Sequence, residues 1–95
     1  MRIVDHEPSS WFLAEEDGAL FLDVNASRGP VGFSLLTQLT DDERDRIARG
    51  GHGATDAIAR ALQDHASTRA ALGADWQARF AAAVTAWAAA RTSST

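Results

Sequence analysis

Cysteine is absent from the 95-residue chain, which removes a disulfide framework, a thiolate zinc site and a cysteine nucleophile together. Lysine is absent as well: all nine basic residues are arginine, scattered from Arg2 to Arg91 without a cluster, and thirteen acids bring the formal net charge to −4. A nucleic-acid backbone is held by a basic stripe that neutralises several phosphates, so nucleic acid is not expected as a partner. No apolar run reaches the roughly 18 residues that a membrane-spanning helix needs. The segment Met1-Arg2-Ile3-Val4-Asp5-His6-Glu7 turns acidic before an apolar export core forms. The reading is therefore a cytoplasmic protein with no membrane contact, and the sequon-like Asn25-Ala26-Ser27 is a chance match.

What is present reads as one ordinary globular domain. Hydrophobic residues make up 45% and charged residues 23%, far from the disordered combination of low hydrophobicity and high charge. A chain of this size can bury roughly 60% of its unfolded surface in a single core. No internal repeat or linker divides it, so a single α+β domain is expected over residues 1-91, with 92-95 a frayed tail.

The clearest local signal is Trp11-Phe12-Leu13-Ala14-Glu15-Glu16, then Asp17-Gly18, then Ala19-Leu20-Phe21-Leu22-Asp23-Val24. Asp-Gly between two strand-like runs is the favoured two-residue type I′ hairpin, because both turn positions require positive φ. Pairing Glu16 with Ala19 sets Leu13 opposite Leu22 and Trp11 opposite Val24, which makes their side the core face. Phe12, Ala14, Phe21 and Asp23 must then point the other way. After a turn at residues 26–30, Val31, Phe33, Leu35, Thr37 and Leu39 alternate with Gly32, Ser34, Leu36 and Gln38, a period of two that predicts a third antiparallel strand. Ile3 and Val4 admit a short N-terminal edge strand before Pro8.

Thr40-Asp41-Asp42-Glu43 is a capping box, so a helix starts there, and Gly50-Gly51 is expected to end it. A second helix is expected over residues 54–66 and a third over 74–91, the latter with Trp76, Phe80, Ala83, Val84 and Trp87 on one stripe. Strands first and helices after give an α+β fold: a three-stranded antiparallel meander followed by three helices packed on one sheet face. The opposite face stays open in that arrangement. Phe12, Phe21 and Leu36 would then form an exposed apolar patch, an expected interface.

Convergent chemistry is sparse. His6, His52 and His65 are the side chains that titrate near neutrality, and nothing in their spacing defines a metal site, so neither a metal nor a cofactor is expected. Gly50-Gly51-His52-Gly53-Ala54-Thr55 is a glycine-rich stretch leading into a helix, and its Gly51, His52, Gly53 and Thr55 are the ligand-binding candidates, through exposed amides at a positive dipole end. The Walker lysine is missing, so this is no nucleotide loop. Asp23-x-Asn25-x-Ser27-x-Gly29 starts like a calcium loop but has its glycine one position late and Ser34 where a glutamate is needed. Gly32-Phe33-Ser34 lacks the second glycine of a nucleophile elbow. No catalytic residue is assigned; an enzyme would have to use His52 or His65 with Asp56 or Asp64, and no geometry prefers one pair.

The sequence thus points to a small non-catalytic protein-interaction or regulatory module, acting as a homodimer or within a protein complex. The alternative is a small-anion or small-ligand binding domain that uses residues 50-55.

Overall fold

The computed structural model describes residues 1–8, 10–28, 31–64 and 71–93, with the side chains of 26–28, 31–33 and 92–93 left aside. Four antiparallel strands, β1 (Arg2–Glu7), β2 (Trp11–Glu16), β3 (Ala19–Arg28) and β4 (Val31–Gln38), precede two helices, α1 (Asp41–Asp64) and α2 (Ala74–Ser93). Each strand pairs with its neighbour in sequence, so the sheet is a simple meander in the order β1-β2-β3-β4. No helix among the described residues is long and apolar enough to cross a membrane.

The β2–β3 hairpin has the register its turn dictates. Asp17 and Gly18 take φ 51° and 82°, the double left-handed geometry of a type I′ turn, and Glu16 faces Ala19, Leu13 faces Leu22 and Trp11 faces Val24. At the other edge β1 is longer than the expected Ile3-Val4 piece. It pairs with β2 along its length, with a bulge between Ile3 and Asp5. That extra residue breaks the alternation of side chains, and the charges of Arg2, Asp5 and Glu7 mask what remains, which is why the strand reads so poorly from sequence.

Two further expectations are corrected. The sheet has four strands rather than three, and two helices rather than three lie on opposite faces of it rather than on one. The segment expected to be two helices joined by a glycine loop is one element: Gly51 adopts φ 63°, ψ −143°, kinks α1, and the helix resumes at once. The capping box is intact, with the Thr40 amide donating to Glu43 Oε1 at 2.8 Å and the Glu43 amide donating to Thr40 Oγ1 at 3.2 Å. The expected turn residues Gly29 and Pro30, His65 with the expected helix end, and 94–95 of the tail lie outside the described residues.

The second half of α1 lays Ile58, Ala59 and Leu62 on Trp11, Leu13, Leu22, Val24, Leu35 and Leu39. On the other face, α2 packs Phe80 on Ala14, Phe21 and Leu36, with Phe12, Trp76 and Val84 half-buried around them. The face expected to stay open is therefore covered. The helix that covers it is alanine-rich, with a few aromatic side chains carrying the contact, so its amphipathic signal is weak. The backbone reinforces this placement: the Leu72 amide, just before α2, donates to the Leu36 carbonyl of β4 at 2.9 Å.

Candidate functional site

A cleft of about 680 Å³ opens between the β1–β2 connection and the second half of α1, lined by Glu7, Pro8, Ser10, His52, Gly53, Asp56, Arg60 and Gln63. Its helical wall follows from spacing. His52, Asp56, Arg60 and Gln63 recur at intervals of four, four and three, so they form one polar stripe on a helix whose Ile58, Ala59 and Leu62 turn into the core.

The polar groups of the cleft are tied together. Trp11 reaches through the edge of the core, and its Nε1 donates to Asp56 Oδ1 at 3.1 Å. The second oxygen of Asp56 meets Arg60 Nε at 3.0 Å. Gln63 Nε2 donates to Ser10 Oγ at 3.3 Å, and the Ser10 backbone closes a tight turn, its amide donating to the Glu7 carbonyl at 3.0 Å.

His52 lies at the rim, between strand and helix. Its Nδ1 is 2.9 Å from Asp5 Oδ2, its Nε2 is 2.9 Å from Glu7 Oε2, and its ring sits 4.9 Å from that of Trp11. The hydrogen bonds to Glu7 and then Asp5 raise the imidazole's pKa above its ordinary 6.5, with burial opposing them.

The four ligand-binding candidates divide. His52 and Gly53 line the cleft. Thr55 does not: it is fully buried, and its hydroxyl donates back to the Gly51 carbonyl at 3.3 Å, bracing the kink. Gly51 supplies the kink itself. The interface candidates lie elsewhere, beneath α2: Phe21 and Leu36 are buried and Phe12 is half-buried. Asp5, Glu7, Ser10, Arg60 and Gln63 were not singled out by sequence. The helical stripe of 52, 56, 60 and 63 and the same-side spacing of Asp5 and Glu7 were visible signals, but only the fold brings the two together.

On the opposite side of β1, His6 stacks on Phe12 at 5.7 Å and meets the edge of Trp87 at 4.7 Å. Arg91 Nη1 is 3.3 Å from His6 Nε2 and the guanidinium lies 4.6 Å over the Trp87 ring. This cluster fastens the end of α2 to the sheet edge. Asp23, beside it on β3, pairs in register with Phe12 and Leu36, and burial pushes its carboxyl up to about 6. Among the described residues no group of three or more His, Asp or Glu side chains could hold a metal ion. No family model, no curated protein and no solved structure matches this chain.

Proposed function

We propose that the protein is a non-catalytic binding domain whose cleft takes a small polar ligand bearing both hydrogen-bond donors and acceptors. The observation that carries this reading is the mixed lining: Glu7 and Asp56 offer carboxylate acceptors, while Arg60 and Gln63 offer donors, around an opening of about 680 Å³. A few placed polar groups at a concave site are what orient a small ligand. Charge favours such a ligand over a simple anion, because the arginine of the cleft is already set against Asp56 and a second carboxylate, Glu7, stands opposite. The reading as a protein-interaction module draws on small size and acidic charge. The aromatic patch it relied on is occupied by α2, and Val4, 42% exposed, is the large apolar side chain left outside among the described residues.

The test is amide NMR of the whole chain with two probes. Glycinamide offers an ammonium, amide N–H groups and a carbonyl, whereas inorganic phosphate offers chiefly acceptors. Glycinamide should move the resonances of His52, Gly53, Asp56 and Gln63 saturably, phosphate should do so less, and Glu7→Gln and Arg60→Ala should each weaken the response. If neither probe moves these resonances, the cleft reading is wrong.

A further inference from the structure

His52 is the first residue after the Gly51 kink, and Asp5 and Glu7 stand two apart on β1, so both carboxylates project from one side of the strand. The imidazole between them is 2.9 Å from an oxygen of each. A neutral imidazole carries one N–H and one lone pair, and it would have to aim that lone pair at a carboxylate. Two N–H donors exist only in the imidazolium. The double contact is therefore made by the charged ring.

We propose that His52 is a pH-operated latch: protonated, it clamps the second half of α1 to strand β1 and fixes the width of the cleft, and on losing its proton it frees one carboxylate and lets the helix move about Gly51. The consequence for ligand rests on the binding-cleft reading above; the latch itself rests on the geometry. Gly51 is suited to the hinge, because its φ of 63° is one that glycine adopts at ease and nothing lies within 4 Å of where a side chain would be.

The charges around the ring favour the proton. Asp5 and Glu7 face it from β1. Trp11 faces it from β2 with an uncharged ring. On α1 itself Asp56 and Arg60 share the cleft and are paired with each other, which leaves the two strand carboxylates in control. Because the folded-state pKa is raised from 6.5, the latch is complete below the ordinary histidine value and is lost as pH rises through the higher, folded value.

The experiment is a proton NMR titration of the intact chain without ligand from about pH 5.5 to about pH 9, together with amide hydrogen exchange. His52 should titrate above 6.5, and Asp5→Asn and Glu7→Gln should each return it toward that value. Corrected for intrinsic rates, protection of residues 54–62 should fall at least about threefold across the His52 transition, while residues 44–49 stay unchanged. His52→Gln should abolish that pH dependence; should it fold poorly, Glu7→Gln, which replaces one carboxylate with an amide that can pair with either form of the ring, carries the same comparison. A His52 that titrates at or below 6.5, or protection of 54–62 that ignores its transition, overturns the latch. No probe molecule enters these measurements, so a failed latch leaves the cleft reading standing, and a cleft that binds neither glycinamide nor phosphate leaves the latch result untouched.

Discussion

At the scale of single residues, Asp23 is the group most at odds with its surroundings. Its carboxyl shares a sheet face with Phe12 and Leu36, and burial alone raises its pKa from 3.8 to about 6. A folded-state value above the unfolded one means that the native state binds the proton more tightly. The penalty is present at neutral pH, where the carboxylate is charged, and it disappears as pH falls from about 6 to below the unfolded value. Asp23→Asn keeps the shape and removes the charge, so it should stabilise the fold at neutral pH and change little near pH 4. The shift taken at face value corresponds to about 3 kcal/mol, and partial exposure brings the expected gain to on the order of 1 kcal/mol. Urea denaturation at the two pH values checks it; a variant with the parent's pH dependence would remove Asp23 as the cause.

The candidate site was legible only in halves at this scale. Gly53 and His52 stood out because glycine is scarce in helices, but the sequence gives no sign that a histidine at position 52 meets carboxylates at 5 and 7. Such meetings depend on how β1 is bulged and on which face α1 packs, neither of which is a local property. Thr55 illustrates the converse: it was a candidate through its amide, but the residue is buried and its hydroxyl braces the helix from within.

At the scale of elements, the parts decided by local rules were readable and the rest were not. The β2–β3 hairpin follows from Asp17-Gly18, and the start of α1 follows from Thr40 and Glu43. Thr40→Ala should accordingly lower stability by about 1 kcal/mol, the usual loss for a helix cap, as measured by the midpoint of denaturation. Gly50-Gly51 was read correctly as a break in the helix, but whether a glycine break becomes a loop or a kink depends on tertiary packing. Here Ile58 and Leu62 on one side of the kink and Ile47 on the other belong to the same apolar cluster, which holds the two halves end to end. The kink makes a pair of glycines behave oppositely. Gly51→Ala must place a side chain at φ 63° and should destabilise by about 1 kcal/mol or more. Gly53→Ala sits in helical backbone with open space around it, so it should stabilise by up to about 1 kcal/mol through helix propensity. Losses at both positions would mean that residue 53 is not helical in solution.

At the scale of the whole molecule, the decisive fact is that a 95-residue chain covers both faces of its sheet. Three short helices, one of them weakly apolar, suggested too little apolar surface for that, and α2 has nine alanines among its 20 residues. It manages with few contacts that are large. Trp76 stacks on Phe21 with centroids 4.9 Å apart, Phe80 and Trp87 meet Phe12 edge-on at 6.3 and 5.2 Å, and Arg79 ties the helix to Glu16 of the hairpin at 2.8 Å. Large aromatic side chains bury far more area per residue than alanine, so a narrow stripe suffices. Phe21, 1% exposed, is the centre of this second core, and Phe21→Glu tests the arrangement as a whole. A carboxylate there would be ionised against Trp76 and Leu36, or would have to take up a proton to stay buried, and either course costs several kcal/mol. Domains of this size are stable by only about 5–15 kcal/mol, so the variant should lose its near-ultraviolet aromatic circular dichroism and unfold in much less denaturant than the parent. Arg79→Ala, which removes an exposed ion pair from the same helix, should shift stability by less than about 1 kcal/mol. A Phe21→Glu protein with the parent's spectrum and denaturation midpoint would mean that α2 does not lie on this face, and the second core would have to be abandoned.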